Sequence, residues 1–360
     1  MKKIKVMIVD DSAFVRQMLS KMLSSDPDID VVGTAMDGVF ALEKIQKLRP
    51  DVVTLDINMP RMDGIETLER IMEDFGTQVI IVSSHTRKNA DLSIQALEIG
   101  AFDLVSKPDK ALSDEIINID KELVKKIKEA CRSPLARSIM KAPAAPVIEE
   151  KGTLISDPGS SDRVLAIGIS TGGPNALNYM LPQLPKGFPA GILIVQHMPE
   201  GFIDMFASRL NKICQIDVKV ASHDDLIVNG RALLAPGGKH LKVRKRRLGT
   251  TVSLDSSPPE SGHRPSADVL FRSVAEGYGK KASGLIMTGM GHDGSDGIGD
   301  IMRKGGYTIA QEERSCVVFG MPKVAIEKGN ISTIVPLEDM ASFLVKQFDG
   351  KGVANDKVGS

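Results

Sequence analysis

The chain has 360 residues, with 46 basic against 46 acidic side chains, 42% hydrophobic residues, three cysteines and no tryptophan. This length suits two domains, the apolar share excludes a wholly disordered chain, and zero net charge argues against a protein built to bind long polyanions. No apolar run approaches the roughly 18 residues of a membrane span, and the start MKKIKVMIVDDS is not a secretory signal; Cys131, Cys214 and Cys316 form neither a disulfide frame nor a zinc site, so a cytoplasmic protein without membrane insertion is expected.

Strands are predicted over 5–9, 30–34, 52–56, 79–83 and 102–105. Between them come a helix capped by Ser12, with Val15, Leu19 and Leu23 on one face, and helices over 38–48, 64–72 and 89–99. Strands that read as nearly continuous apolar runs, each separated by a helix, indicate a parallel sheet covered on both faces. A further helix over 112–130 carries Ile116, Ile119, Leu123 and Ile127 at helical spacing. From about 132 to 162 the chain holds four prolines and no sustained period, which reads as a linker.

A second α/β domain starts at Val164. Strands are predicted over 164–169, 192–196, 218–221, 231–235, 283–288 and 307–310, helices over 175–181, 201–210, 268–277, 296–303, 321–327 and 338–347, and a hairpin over 239–254 with KVRKRRLGTT at its tip. The proposed division is a first domain over 1–125, a helix extension and linker over 126–162, a second domain over 163–348 and a flexible tail over 349–360. Charge follows this division: residues 1–110 hold 14 basic and 18 acidic side chains, leaving 32 and 28 for the remainder.

Asp10 and Asp11 end the first strand and Asp56 ends the third. Carboxyl ends of neighbouring parallel strands converge on one crevice, where three carboxylates repel one another unless a hard cation such as Mg²⁺ neutralises them. Ser83 and Ser84 end the fourth strand and Lys107 follows the fifth, a hydroxyl and an ammonium suited to phosphoryl oxygens.

In the second domain Gly168, Ser170 and Gly172 fit G-x-S-x-G, a tight strand-to-helix turn that presents a hydroxyl; a phosphate cradle at a helix N-terminus is the alternative. Serine needs a base. Of six histidines, His197 directly follows a buried strand and is the best placed, whereas His223, His240 and His263 fall in loops where structural roles are the default. The loop T-G-M-G-H-D-G-S-D-G from Thr288 offers Asp293 first and Asp296 second as orienting carboxylate, with His292 as a competing base and a mere helix cap as the bland reading of Asp293.

VDDS, LDINMPRMDG, VSS and SKP, in that order, resemble the receiver domain of bacterial response regulators. The resemblance implies a flavodoxin-like (βα)5 fold, phosphorylation of Asp56 by a histidine kinase, Mg²⁺ held by Asp10, Asp11, Asp56 and the Asn58 carbonyl, phosphate sensing by Ser83 and Lys107, and a cis Lys107–Pro108 bond. IGISTGGP, VQHMP, LLAPGGKHL, HRPSADVLF, MTGMGHDGSDG and AQEERSCVVFGMPKVAI resemble the catalytic domain of the chemotaxis protein-glutamate methylesterases. This implies a doubly wound α/β domain with Ser170 as nucleophile, His197 as general base and acid, Asp293 as orienting carboxylate and His292 as a bystander, acting on methylated chemoreceptors without a cofactor for hydrolysis. Backbone N–H groups of Thr171 and Met290 are assigned as oxyanion donors. The receiver is expected to pack over the Ser170 rim until Asp56 is phosphorylated. Two rivals remain: a transcription factor, for which Lys242–Arg247 is the lone basic cluster, and an adaptor without chemistry.

Overall fold

Apolar runs buried on both faces build the sheets of both halves of the chain. The computed structural model describes residues 3–84, 86–107, 113–133, 160–247 and 249–349. The chain divides into two units, Met1–Ala142 and Pro143–Ser360. Most of the expected linker, the tail beyond Asp349, His85 and Pro108 lie outside the described residues.

In the first unit β1 (Ile4–Val9), β2 (Ile29–Ala35), β3 (Val52–Leu55), β4 (Gln78–Ser83) and β5 (Asp103–Ser106) form one parallel sheet in the order β2-β1-β3-β4-β5. Val6, Met7, Ile8, Val52, Val53, Leu55 and Val79–Ile81 are fully buried, as strands covered by helices on both faces must be. The helices are α1 (Ala13–Ser24), α2 (Gly38–Leu48), α3 (Gly64–Asp74), α4 (Arg87–Ile99) and α5 (Ser113–Arg132). Side-chain oxygens of Ser12, Asp37, Asp63 and Thr86 cap the first four, each accepting a backbone N–H three residues on and so satisfying a donor the helix cannot. Strand order reverses between β1 and β3, which opens a crevice at Asp10 and Asp56.

The second unit is a seven-stranded parallel sheet in the order β14-β13-β12-β6-β7-β9-β8. Its strands are β6 (Val164–Ile169), β7 (Gly191–Gln196), β8 (Asp217–Val220), β9 (Arg231–Leu234), β12 (Ala282–Ile286), β13 (Tyr307–Gln311) and β14 (Thr333–Val335). The helices are α6 (Gly173–Met180), α7 (Phe202–Ile213), α8 (Ala267–Tyr278), α9 (Gly297–Arg303), α10 (Met321–Glu327) and α11 (Leu337–Phe348). Phe188, Phe202, Phe206 and Phe271 are the largest fully buried side chains. The chain leaves β6 towards β7, β9 and β8, then returns to β12 on the other side of β6. The second switch point therefore lies between β6 and β12, beside Ser170.

A separate antiparallel pair, β10 (His240–Arg246) and β11 (Gly249–Asp255), packs on α8, where the Val243 N–H donates to the Ser273 hydroxyl at 3.1 Å. The basic run expected at the hairpin tip is thus largely strand, in register from Lys242↔Ser253 to Arg246↔Gly249. β14, a three-residue strand directly before Pro336, was not predicted; it is too short to show a period.

Candidate active site and phosphoacceptor pocket

In the first unit Asp10 and Asp56 are buried at the strand ends and Asp11 is exposed; one carboxylate oxygen from each lies within 4.8 Å of the others. The Lys107 Nζ stands 2.7 Å from Asp10 Oδ2 and 2.9 Å from Asp56 Oδ2. Burial pushes the Asp56 carboxyl above its usual range; Lys107 opposes this and the Asp10 charge adds to it. Burial also works against the Lys107 ammonium, but Asp56 and Asp10 together outweigh it and raise its pKa. The two shifts agree physically: one ammonium gains from two carboxylates, while each carboxylate shares that ammonium and repels the other. The Ser83 hydroxyl is fully buried at the end of β4 and has no hydrogen-bond partner among the described residues. The Asn58 amide turns aside to Asn89 Oδ1 at 2.6 Å. Three clustered carboxylates, only two of them paired with the one ammonium, and an orphaned hydroxyl at the next strand end suit a hard cation with a phosphoryl oxygen.

In the second unit β6 and β7 pair Ile169 with Gln196, so Ser170 and His197 step off adjacent strands together, and the His197 N–H donates to the Ile169 carbonyl at 3.0 Å. Ser170 is held by its backbone: its N–H donates to the Thr288 carbonyl at 3.0 Å and its carbonyl accepts from Gly173 at 2.8 Å. Gly172 turns the chain at φ 77°, and a Cβ on Gly173 would lie 2.0 Å from Gln196 Oε1. Buried Gln196 donates to the carbonyls of Ser170 at 3.1 Å and His197 at 2.9 Å, tying the two rim loops together.

Asp293, on the loop after β12, accepts four hydrogen bonds. Its Oδ2 takes His197 Nε2 at 2.8 Å and the Ala267 N–H at 2.7 Å; its Oδ1 takes the Ser266 hydroxyl at 2.7 Å and the Asp268 N–H at 3.1 Å. Burial alone would raise its pKa, but His197, Ser266 and the Ala267 N–H outweigh burial and hold it well below the usual carboxylate range. Two of these donors belong to the first turn of α8, so Asp293 caps that helix and reaches His197 at once. Its neighbour Asp268 moves the other way: burial, with the Asp293 charge adding, outweighs its own bonds to the start of α9.

An ionised Asp293 accepts only, so His197 Nε2 carries the proton in this bond and Nδ1 is left as the basic nitrogen. Nδ1 is buried without a hydrogen-bond partner among the described residues. Met290 is buried on the loop after β12. Thr171 is also buried, and its carbonyl accepts from the Thr288 hydroxyl at 2.9 Å.

The rejected candidates separate cleanly. Asp296 is turned to Lys328 at 2.6 Å, His292 is exposed, and His223 Nδ1 accepts from Leu254 at 3.2 Å. Sequence reasoning passed over four residues of the site. His263, assigned to a loop, stacks on His197 with ring centroids 3.9 Å apart. His240 is fully buried and accepts the Ser266 N–H at Nδ1, 3.2 Å away. Ser266 and Gln196 complete the set. The signal lay in their company: Gln196 adjoins His197, and His263 and Ser266 share the short run HRPSAD.

A parallel sheet with carboxylates and a lysine at its switch point, and a second with Ser, His and Asp at its own, define a response regulator whose output is a serine-type hydrolase. The response regulator receiver domain family model matches residues 6–117, and the CheB methylesterase model matches residues 165–344. A protein-glutamate methylesterase/protein-glutamine glutaminase of Koribacter versatilis is 50% identical over 98% of both chains; one of Pyrococcus horikoshii is 43% identical over 96% of this chain and 94% of its own. The crystal structure of the Thermotoga maritima CheB methylesterase catalytic domain matches with a TM-score of 0.50 at 38% identity, covering 52% of this chain and 98% of that one. The chain belongs to the CheB methylesterase family of two-domain response regulators.

Proposed function

We propose that this chain hydrolyses the γ-methyl esters of glutamate residues on chemoreceptor cytoplasmic domains, releasing methanol, and deamidates glutamines at such sites by the same chemistry. The observation that carries the reading is the 2.8 Å bond from His197 Nε2 to a buried, ionised Asp293, on the rim that also presents Ser170. In this reading the Ser170 hydroxyl attacks the ester carbonyl while His197 Nδ1 takes its proton. His197 then passes the proton to the departing methoxide, which leaves as methanol, or to the departing amide nitrogen, which leaves as ammonia, and water repeats the sequence to free the carboxylate. The backbone N–H groups of Thr171 and Met290 are the assigned donors to the oxyanion. Asp293 keeps His197 in the required tautomer and opposes the charge it acquires.

In the receiver, Asp56 takes a phosphoryl group from a histidine kinase, with Lys107 and Ser83 contacting its oxygens. Asp10, Asp11, Asp56 and the Asn58 carbonyl are the assigned ligands of Mg²⁺, which would offset charge during that transfer. The phosphoryl charge biases the receiver between two states and so raises esterase activity. The transcription-factor alternative loses its footing in the hairpin, where Lys242 pairs with Asp255 and Arg246 with Asp224. No helix long and apolar enough to cross a membrane occurs among the described residues.

The test is methanol release from methylated receptor membranes by wild type, Ser170→Ala and Asp56→Asn, with and without a small phosphodonor. Ser170→Ala is expected to be inactive and Asp56→Asn to lose the response to phosphodonor. Activity persisting in Ser170→Ala would overturn the mechanism.

A further inference from the structure

We propose that His263 is a positioning residue for His197, holding its ring by face-to-face stacking and supporting the positive charge that His197 acquires in each half-reaction. The proposal rests on the Ser170–His197–Asp293 reading above. The two rings are nearly parallel, at 7°, with centroids 3.9 Å apart.

The backbone sets His263 there. Glu260 and His263 exchange hydrogen bonds, Glu260 N–H to His263 O at 3.0 Å and His263 N–H to Glu260 O at 2.9 Å. Between them Ser261 and Gly262 both take left-handed conformations, φ 52° and 79°, the geometry of a tight two-residue turn. Three residues further on, Ser266 and Ala267 grip Asp293. One short segment therefore supports His197 twice: edge-on through Asp293, and face-on through His263.

The charges around this pair allow one cation in the stack. Asp293 meets the edge of His197, and exposed His292 precedes Asp293 on the same loop. Asp268 lies behind Asp293. On the turn itself Glu260 is paired with Arg272. Arg264 points away to the carbonyls of Ser256 and Ser257. Glu200 is exposed on the loop that carries His197. From the hairpin, His240 accepts at Nδ1 and donates from Nε2 to the Pro258 carbonyl at 3.1 Å, so it is neutral. Two imidazolium rings at stacking distance repel, so His263 is neutral when His197 is charged, and its π-face then lies against the cation. A cation over a desolvated aromatic face is stabilised appreciably, whereas an aliphatic side chain offers only packing.

The experiment measures pH profiles of methanol release, and of Ser170 labelling by a fluorophosphonate, for wild type, His263→Phe, His263→Leu and His263→Asn, with thermal melting to verify folding. The ringless Leu and Asn variants are expected to lose about five- to thirtyfold in kcat with KM little changed. Their acidic limb should move down by about one pH unit, because the protonated base has lost its support. His263→Phe keeps a π-face and should stay within about twofold of wild type with its limb unmoved. A merely structural role predicts losses without movement of the limb, and Phe failing alongside Leu; either result overturns the proposal. Activity surviving in Ser170→Ala would instead overturn the parent reading, so the two failures are distinguishable.

Discussion

Replacing Asp293 by asparagine separates its two tasks, because the carboxylate accepts four hydrogen bonds and an amide has one accepting oxygen. At the Oδ2 position an amide nitrogen would face the Ala267 N–H and His197 Nε2, both donors. At the Oδ1 position it would face the Ser266 hydroxyl, which can rotate to accept, and the Asp268 N–H, which cannot. The second placement is cheaper and leaves one buried N–H unsatisfied, a cost of about 1–3 kcal/mol. For a domain of this size that lowers the melting temperature by roughly 3–9 °C. The chemistry loses more: the amide oxygen left facing His197 Nε2 keeps the tautomer, but no negative charge then opposes the imidazolium, and a fall in kcat of about 10³–10⁴ is expected. Thermal melting and methanol release on the same preparation measure both. Should Asp293→Asn melt lower yet keep more than about a tenth of wild-type kcat, Asp293 would be a helix cap only, since loss of the orienting carboxylate costs far more than that.

Two further predictions follow from buried neighbours. The Asp56 pKa is raised in the folded receiver, so the stability tied to its protonated form is present below the unfolded carboxyl value and is lost as pH rises through the folded value. Asp56→Asn, which keeps an acceptor for the Ile57 N–H at 2.8 Å and leaves Lys107 paired with Asp10, should therefore raise the melting temperature of the metal-free protein at pH 7 and erase part of its dependence on pH; an unchanged or lower melting temperature would refute this. Gly173→Ala puts a Cβ 2.0 Å from Gln196 Oε1 and 2.9 Å from the Ile169 side chain. Gln196 must leave the Ser170 and His197 carbonyls, so about 1–3 kcal/mol of stability should go. Methanol release should fall about tenfold, the scale on which small displacements of reacting groups act; wild-type kcat would show that the bridge is dispensable.

Most of both sheets was legible because the strands that carry the sites are apolar runs ended by a polar residue. Ile4–Val9 stops at Asp10, Val164–Ile169 at Ser170 and Gly191–Gln196 at His197. Those terminating residues are also the proposed nucleophile, base and phosphoacceptor carboxylates, so locating the strands brought the candidates together. The supporting residues were not legible in this way. His263 lies in a turn with no period, 66 positions from the ring it stacks on, and nothing local marks it as more than a loop histidine. His240 begins a strand and is wholly buried, yet its reason for being there is the Ser266 N–H, which only the folded chain brings to it. The basic run, expected around the tip of a hairpin, lies mostly on its first strand, where Leu241 is buried and residues 244–247 are exposed.

The capping and orienting readings of Asp293 are physically compatible. A carboxylate that caps α8 is held by the Ala267 and Asp268 N–H groups and favoured by the positive end of the helix dipole, so it remains ionised despite burial. That is the state needed to fix the His197 tautomer. The order Ser, His, Asp along the chain then follows from the winding. β6 supplies Ser170, its neighbour β7 supplies His197, and the chain must complete β8, β9, the hairpin and α8 before returning to β12 on the other side of β6. Only at that return can a loop meet both the start of α8 and the rim at Ser170. In this sheet the proposed orienting carboxylate comes last because it lies on the loop after β12, which reaches the first turn of α8.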